Sequence, residues 1–205
     1  MLSRSLPKKV LNRISKSFIG PSVFLDQLDM SEGDRVLEMG LPIGFFASAA
    51  ISKVGDKGEV YVSGPTHESL ERLTHLATQH SNLRKTLLAD ILIGRAAPHH
   101  SIDWVILTNL LSNSLHPDEF CLAVGQYLKP DSRIVLIDWD ASDPTVGPID
   151  EQRVSKEDAI KLLSKCGMVF LHVLQSPGYH YGLVFGFKME PASQPEPSVA
   201  LEGNS

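Results

Sequence analysis

The sequence lacks several features that would define other classes of protein. It has only two cysteines, Cys121 and Cys166, and neither belongs to the Cys/His patterns of a metal site. It has no run of about 18 apolar residues, so we expect no membrane-spanning helix. Its N-terminus has no apolar signal-peptide core. These absences favour buried, reduced thiols in a cytoplasmic protein that holds no metal.

The chain also lacks an excess of positive charge. Lys and Arg number 19 against 24 Asp and Glu, a formal net charge of −5. A net negative protein exerts no overall attraction on nucleic acid, so we expect no nucleic-acid partner. With 42% hydrophobic and 21% charged residues, the composition is that of a globular protein. A chain of 205 residues is long enough for one full core, and one domain is therefore expected.

The two ends differ from the middle of the chain, which places the domain at residues 21–188. Residues 189–205 are rich in Pro, Ser and Glu, and we expect a disordered tail. Residues 1–20 form a basic segment of helical type, in which apolar and basic side chains alternate. One interpretation is an amphipathic helix for a partner or a membrane surface. The other, favoured by the narrow apolar face, is a solvated helix lying over the domain.

Between these ends, short β-type runs alternate with helix-type segments. The spacing predicts strands at residues 35–39, 59–63, 84–89, 103–108, 133–138, 168–174 and 180–187. Helices are predicted at residues 45–53, 68–79, 117–127 and 155–165, and a turn at residues 129–132. This alternation predicts an α/β fold with a doubly wound, mostly parallel seven-stranded sheet that ends in an antiparallel hairpin. In such sheets, ligands bind at the carboxyl ends of the strands.

The turn after the first strand has the sequence EMGLPIGFF, from Glu38 to Phe46. Glycine allows the backbone to turn sharply and to approach a ligand closely, here at Gly40 and Gly44. The helix that follows presents its N-terminal amides and the positive end of its dipole. A spaced glycine pair alone is equally consistent with a tight turn that binds nothing.

The surrounding sequence resembles the class I S-adenosylmethionine-dependent methyltransferases, close to the ubiquinone-biosynthesis and arsenite methyltransferase-like branch. Residues 33–64 resemble the first βαβ unit of that family, including EMGLPIGFF. In the same order as in the family follow LAD at 88–90, DWVILTN at 103–109 and LKPDSRIV at 128–135. The terminal hairpin is also similar, so the resemblance covers about residues 20–188. It implies the Rossmann-like methyltransferase fold.

The resemblance also implies a cofactor and a layout for its site. The cofactor is S-adenosylmethionine, and its partner in the reaction is a small-molecule methyl acceptor. Three parts of the cofactor are assigned to three groups of residues. The methionine part is assigned to Glu38, Gly40 and Gly44, the ribose to Ser63 and Gly64, and the adenine to Asp90 and Ile91. Asn109 is expected near the methionine end or the methyl acceptor, and Phe45 is a further cofactor-binding candidate.

Three residues depart from the family pattern at this site. Pro42 replaces the middle glycine of the turn, removing an amide hydrogen and adding a ring. Gly64 replaces the acid that accepts the ribose hydroxyls, a loss of roughly 1.5–3 kcal/mol of binding. Leu41 is bulkier than the usual residue. Two further interpretations therefore stay open: a non-catalytic methyltransferase-like module with weak or absent cofactor binding and, less favoured, a dinucleotide or nucleotide-sugar protein.

Methyl transfer requires no fixed catalytic residue, because the sulfonium is already activated and alignment supplies most of the acceleration. Among the polar residues that follow the strands, Asp138, Asp140 and His180 are the best candidates for contacts to the acceptor. The chain lacks a three-cysteine set, which argues against arsenic chemistry. It also lacks an Asn/Asp-Pro-Pro-aromatic motif, which argues against base amino methylation. A homodimer and a protein partner both stay open.

Overall fold

Seven strands form one sheet in the computed structural model, which describes residues 20–114, 116–140, 147–149, 152–176 and 179–187. The strands are β1 (Arg35–Gly40), β2 (Glu59–Gly64), β3 (Leu83–Leu87), β4 (Ile102–Thr108), β5 (Leu128–Trp139), β6 (Met168–Leu174) and β7 (His180–Phe187). Their order in the sheet is β3-β2-β1-β4-β5-β7-β6. Strands β1 to β5 pair in parallel, and β7 is antiparallel to both β5 and β6. The predicted sheet is confirmed.

Helices cover both faces of this sheet. They are α1 (Pro21–Leu25), α2 (Ala47–Val54), α3 (His67–Leu70), α4 (Thr74–Gln79), α5 (Leu88–Leu92), α6 (Pro117–Val124) and α7 (Lys156–Lys165). Proline opens α6 at its first turn, as expected where an amide hydrogen has no helical partner. The Ser155 hydroxyl accepts from the Asp158 amide and caps α7. Across the described ranges, no helix has the length and apolar character needed to cross a membrane.

The core lies in two layers because successive side chains of a strand point to opposite faces. In β1, Val36 joins the layer under α1 and α2, whereas Leu37 and Met39 join the layer under α6 and α7. The same alternation separates Val105 from Ile106 in β4. Continuous apolar runs in β1, β4 and β5 are thus explained by burial on both faces.

Two segments between β2 and α5 differ from prediction. Residues 68–79, predicted as one helix, form α3, a short 3₁₀ turn at Glu71–Leu73, and α4. Leu70 and Leu73 are both buried, and a 3₁₀ turn places residues three apart on the same side. Residues 88–89, predicted as the end of a strand, belong to α5. That helix begins early because the Asp90 carboxylate accepts from the Leu87 amide at 3.2 Å.

The fifth strand begins earlier than predicted. Residues 129–132, predicted as a turn, lie inside β5, where the pairing with β4 shifts register between Ile102 and Trp104. A bulge accommodates Pro130, which has no amide hydrogen for the ladder. The Ser132 hydroxyl bonds the Ile102 carbonyl at 2.6 Å and holds the irregular segment in place. The predictions for residues 1–19 and 188–205 fall outside the described residues.

The sheet order fixes where a ligand can enter. From β1 the chain runs outward through β2 to β3, then returns to the other side of β1 as β4. The direction of winding therefore reverses between β1 and β4. Connections leaving these two strands diverge to opposite faces and open a crevice at their carboxyl ends.

Candidate functional site

The two glycines of the turn after β1 are required by contacts within the protein. Both have positive φ, +110° at Gly40 and +71° at Gly44, where glycine is favoured. A methyl group added to Gly40 would overlap the carbonyl oxygen of Thr108 on β4. One added to Gly44 would overlap the side chain of Leu73. The two glycines that suggested close approach to a ligand thus also allow the turn to pack against β4 and against the 3₁₀ turn.

Glu38 stabilises the same turn from its buried side. Its side chain is buried, with 2% of its surface exposed, and its Oε1 accepts from the Phe46 amide at 3.0 Å. Burial raises the pKa of Glu38 to about 7, although backbone bonds from Phe46 and Phe45 lower it. Its second oxygen, Oε2, is buried and has no hydrogen-bond partner among the described residues. A carboxylate with one oxygen committed and one open therefore lies at the start of α2.

The residue after β4, Asn109, is held in a conformation that non-glycine residues rarely adopt, with φ +48°. Its amide donates to the Ile137 carbonyl at 2.8 Å, and its Nδ2 donates to the Leu41 carbonyl at 2.9 Å. These bonds fix the orientation of the side-chain amide. Its Oδ1 is buried without a partner in the described structure, as is Oγ1 of Thr108. Three open oxygens, counting Oε2 of Glu38, thus belong to β1, to β4 and to the residue that follows β4.

A cavity of about 220 Å³ opens at this edge of the sheet. Of the predicted site residues, Gly40, Ser63 and Asn109 line it. The sequence did not point to Asn113 and Phe120, which also line the cavity from the loop after β4 and from α6. For Asn113, the signal available in the sequence was its position four residues after Asn109, in the segment that follows a buried strand.

A second cavity of about 210 Å³ lies at the end of β3, beside α3 and α5. Asp90 lines it together with His67, Glu71 and Lys85, so this cavity has charged walls. Ile91 points the other way and is fully buried in the core. The structure therefore brings Asp90, but not Ile91, to a ligand-accessible surface.

The departures from the family pattern have distinct surroundings. Gly64 is packed against α3: a methyl group there would lie 2.7 Å from Oγ of Ser69 and 2.9 Å from Cδ2 of Leu70. Pro42 is exposed and lines neither cavity. Leu41, 42% exposed, lines the first cavity. Close packing thus surrounds Gly64, where the resemblance leads us to expect an acid, while the proline lines neither cavity.

Asp138 is enclosed by the protein. Its Oδ2 accepts from the amides of Leu111 at 2.9 Å and Ser112 at 3.4 Å, and its Oδ1 accepts from the amide of Trp139 at 2.8 Å. Burial raises its pKa, although these bonds lower it. Asp138 lines neither cavity, and it holds the loop after β4 that forms one wall of the first.

His180 and Asp140 lie at the paired ends of β7 and β5. The His180 ring packs on Trp139 with centroids 4.1 Å apart, and burial together with the charge of Arg153 lowers its pKa to about 4. Asp140 pairs with Lys156, with 3.0 Å between Oδ2 and Nζ. Neither residue lines either cavity. Their predicted contact with an acceptor is therefore supported by neither of these two cavities and stays a prediction.

The cysteines are buried, as expected from the sequence. Burial, together with the neighbouring Cys166 thiol, raises the pKa of Cys121 to about 12. The described residues contain no group of three or more His, Cys, Asp or Glu side chains arranged to hold a metal ion.

The sheet order, the antiparallel β7 and the crevice between β1 and β4 define the Rossmann-like methyltransferase fold. Solved structures of S-adenosylmethionine-dependent methyltransferases share it. One from Aquifex aeolicus has a TM-score of 0.76 at 20% identity, covering 90% of this chain and 100% of its own.

Another is the 1,6-didemethyltoxoflavin N1-methyltransferase of Burkholderia thailandensis, solved with its substrate and S-adenosylhomocysteine. It has a TM-score of 0.62 at 13% identity and covers 92% and 93% of the two chains. A (4+2)-cyclase has a TM-score of 0.67 at 10% identity, covering 93% and 85%. No protein-family model and no curated protein matches the sequence. At these identities, the comparisons show the fold.

Proposed function

We propose that the chain is an S-adenosylmethionine-dependent methyltransferase that acts on a small molecule. The observation that carries the proposal is Asn109 Oδ1, a buried oxygen without a partner in the described structure on a residue that lines the first cavity. Two further open oxygens, Glu38 Oε2 and Thr108 Oγ1, lie on the adjoining strands β1 and β4, although these two residues line neither cavity. Buried acceptors without partners are costly unless a ligand donates to them. S-adenosylmethionine carries an ammonium group that donates and a sulfonium that adds positive charge.

The walls of the two cavities also support this cofactor. Each cavity is smaller than the roughly 300–1,000 Å³ of a pocket that encloses a small ligand, so in the proposal the cofactor extends over both. The polar second cavity offers the Asp90 carboxylate to the adenine amino group. The first offers Gly40, Ser63 and Asn109 to the methionine and ribose. The fit is weakest at the ribose, because Gly64 supplies no side chain and the Ser63 hydroxyl already donates to the Glu38 carbonyl.

When bound, S-adenosylmethionine supplies an electrophilic methyl group, and the residues of the chain position the reactants. In the proposed enzyme, Glu38 and Asn109 orient the cationic end of the cofactor. Asp138 keeps the loop after β4 in place, so that Asn113 faces the cavity. The walls of the cavity exclude water, and proximity supplies most of the acceleration.

A non-catalytic module is the second candidate, and particular contacts favour it. Leu73 and Leu70 occupy the space beside Gly44 and Gly64, and Glu38 already satisfies an amide of the turn. The turn is therefore stable without a cofactor. The fold alone does not establish methyl transfer either, because a (4+2)-cyclase has the same fold.

Calorimetric titration with S-adenosylhomocysteine and S-adenosylmethionine separates the two candidates. Asp90→Asn retains an oxygen for the Leu87 amide but removes the charge, so we expect about tenfold weaker binding of either ligand. Glu157→Gln on α7 is the matched control, because it removes an exposed carboxylate that lines neither cavity. It should bind like the wild type.

Methyl transfer itself is measured with methyl-labelled S-adenosylmethionine and a panel of small acceptors. Binding, together with label transferred to an acceptor, supports the enzyme. Absence of heat at millimolar ligand removes the methyltransferase proposal and leaves the non-catalytic module. Binding without transfer to any acceptor favours a module that retains the cofactor.

A further inference from the structure

The two cysteines of the chain come together in the structure, although they are far apart in the sequence. Cys121 lies on α6, Cys166 directly follows α7, and both belong to the core layer under these two helices. The Cys166 Sγ atom lies 3.9 Å from the carbonyl oxygen of Asp118. Asp118 lies three residues before Cys121 on α6, so the two share one face of that helix. The Cys166 thiol therefore contacts the part of α6 that carries Cys121.

The two thiols also interact with each other, and the interaction has a direction. Burial raises the pKa of Cys121 to about 12, and the Cys166 thiol contributes to this rise. Burial and the charge of Asp118 raise the pKa of Cys166, whereas the Cys121 thiol lowers it. Within the pair, the negative charge of a thiolate is thus favoured at Cys166. The thiolate is the form of cysteine that reacts with oxidants.

Cys166 is also the more accessible of the two residues. It is 8% exposed, whereas Cys121 is 0% exposed. The neighbours of Cys166 in the sequence, Lys165 and Gly167, are both exposed, so this thiol lies close under the surface. A small oxidant therefore reaches Cys166 before it reaches Cys121.

We infer that Cys121 and Cys166 form a reversible disulfide when the protein meets a peroxide, and that Cys166 reacts first. The Cys166 thiolate attacks one oxygen of hydrogen peroxide, the O–O bond breaks, and the hydroxide that leaves takes up a proton to give water. The Cys121 thiolate then attacks the sulfenic sulfur of Cys166 and displaces a second hydroxide, which takes up the other thiol proton. Two thiols thus lose two electrons and two protons, and one hydrogen peroxide becomes two waters.

The disulfide joins α6 covalently to α7 and closes a loop from residue 121 to residue 166. Closing a long loop restricts the unfolded chain, so the bond stabilises a folded protein whose geometry accepts it. Because burial raises the pKa of both thiols, the bond forms more slowly than at a cysteine with a lowered pKa. The inference does not depend on the proposed function, since no cofactor takes part in the step.

Peptide mapping of the full chain after treatment with hydrogen peroxide tests the bond directly. Treated and untreated protein is unfolded and alkylated, so that every free thiol is labelled before digestion. We expect both thiols of the treated protein to escape alkylation and to appear in one linked pair of peptides, which dithiothreitol separates. Thiols that stay free, that link two chains, or that oxidise to sulfinic acid without a link overturn the inference.

Single substitutions test the order of the two steps. Cys121→Ser removes the second thiol, so we expect a sulfenic acid to persist at Cys166 and to be trapped by dimedone. Cys166→Ser is the matched control, because it leaves only the enclosed Cys121 thiol, and we expect little adduct there. More adduct at Cys121 than at Cys166 contradicts the assignment of Cys166 as the thiol that reacts first.

The midpoint of thermal unfolding shows whether the native packing of α6 and α7 accepts the bond. We expect the Tm of the oxidised wild type to lie about 5 °C or more above that of the reduced protein, and dithiothreitol to remove the difference. Cys121→Ser treated with the same peroxide controls for methionine oxidation and should show no increase. A Tm of the wild type that does not rise on oxidation overturns the inference, because the bond then forms only by distorting the contact between the two helices.

Discussion

The buried carboxyl of Glu38 predicts an unusual dependence of stability on pH. Burial raises its pKa from 4.5 to about 7, so the folded protein retains a proton that the unfolded chain releases. Its contribution to stability is fully present below pH 4.5 and is lost as the pH rises through about 7. Each pKa unit corresponds to 1.36 kcal/mol, so the loss amounts to about 3 kcal/mol.

Glu38→Gln isolates this contribution. The glutamine oxygen can still accept from the Phe46 amide, 3.0 Å from Oε1 in the wild type, and no charge has to be buried. We therefore expect the free energy of unfolding, variant minus wild type, to rise by about 3 kcal/mol between pH 4.5 and 8. The contributions of the other titrating groups to the free energy of unfolding are nearly the same in both proteins and largely cancel in this difference.

Urea denaturation at pH 4.5, 6 and 8 measures the effect, because its midpoints and slopes give the free energy of unfolding. Glu157→Gln, an exposed carboxylate on α7, is the control and should give a profile parallel to that of the wild type. A difference between Glu38→Gln and wild type that stays constant with pH would refute the reasoning. It would mean that water or the backbone amides stabilise the charged form in the folded protein.

Three other substitutions test the packing around the site by urea denaturation. Gly40→Ala should lower the free energy of unfolding by at least about 2 kcal/mol, because the methyl group meets the backbone of β4, whereas Gly125→Ala, with room for a methyl group, should cost much less. Gly64→Asp should also destabilise, and part of that cost should disappear in a Leu70→Ala background; strict additivity would contradict the packing argument. Asp138→Asn turns an amide toward backbone donors and should cost about 1–3 kcal/mol, and an unchanged midpoint would exclude its structural role.

The fold was predictable from the sequence because its signals are repeated and local. Apolar runs such as residues 103–108 and 180–187 define strands buried on both faces, and both were predicted with nearly their observed bounds. Errors arose where a side chain changed the local backbone. Asp90 starts a helix inside a strand-like run, and Ser132 holds a bulge where a turn was expected.

The site was less predictable, because its properties depend on contacts between distant residues. The sequence predicted cofactor contacts for Glu38, Gly40, Ser63, Asp90 and Asn109, and these stay predictions. It could not show that Glu38 has one open oxygen, since that depends on where α2 begins.

Two further features of the site depend on the tertiary structure. The lining of the first cavity by Asn113 and Phe120 depends on how the loop after β4 folds over Asp138. The surroundings of Pro42 could not be predicted either. The sequence suggested that its ring would obstruct a ligand, whereas Pro42 is exposed and lines neither cavity.

The packing of Gly64 constrains the mutations that can introduce an acid at this site. A Cβ atom added at position 64 would lie 2.7 Å from Oγ of Ser69 and 2.9 Å from Cδ2 of Leu70, so an acid there requires both side chains to move. A smaller residue at position 70 would relieve one of these contacts, but on its own it leaves a gap beside the strand. Selection or design that adds an acid at position 64 therefore has to repack α3 as well.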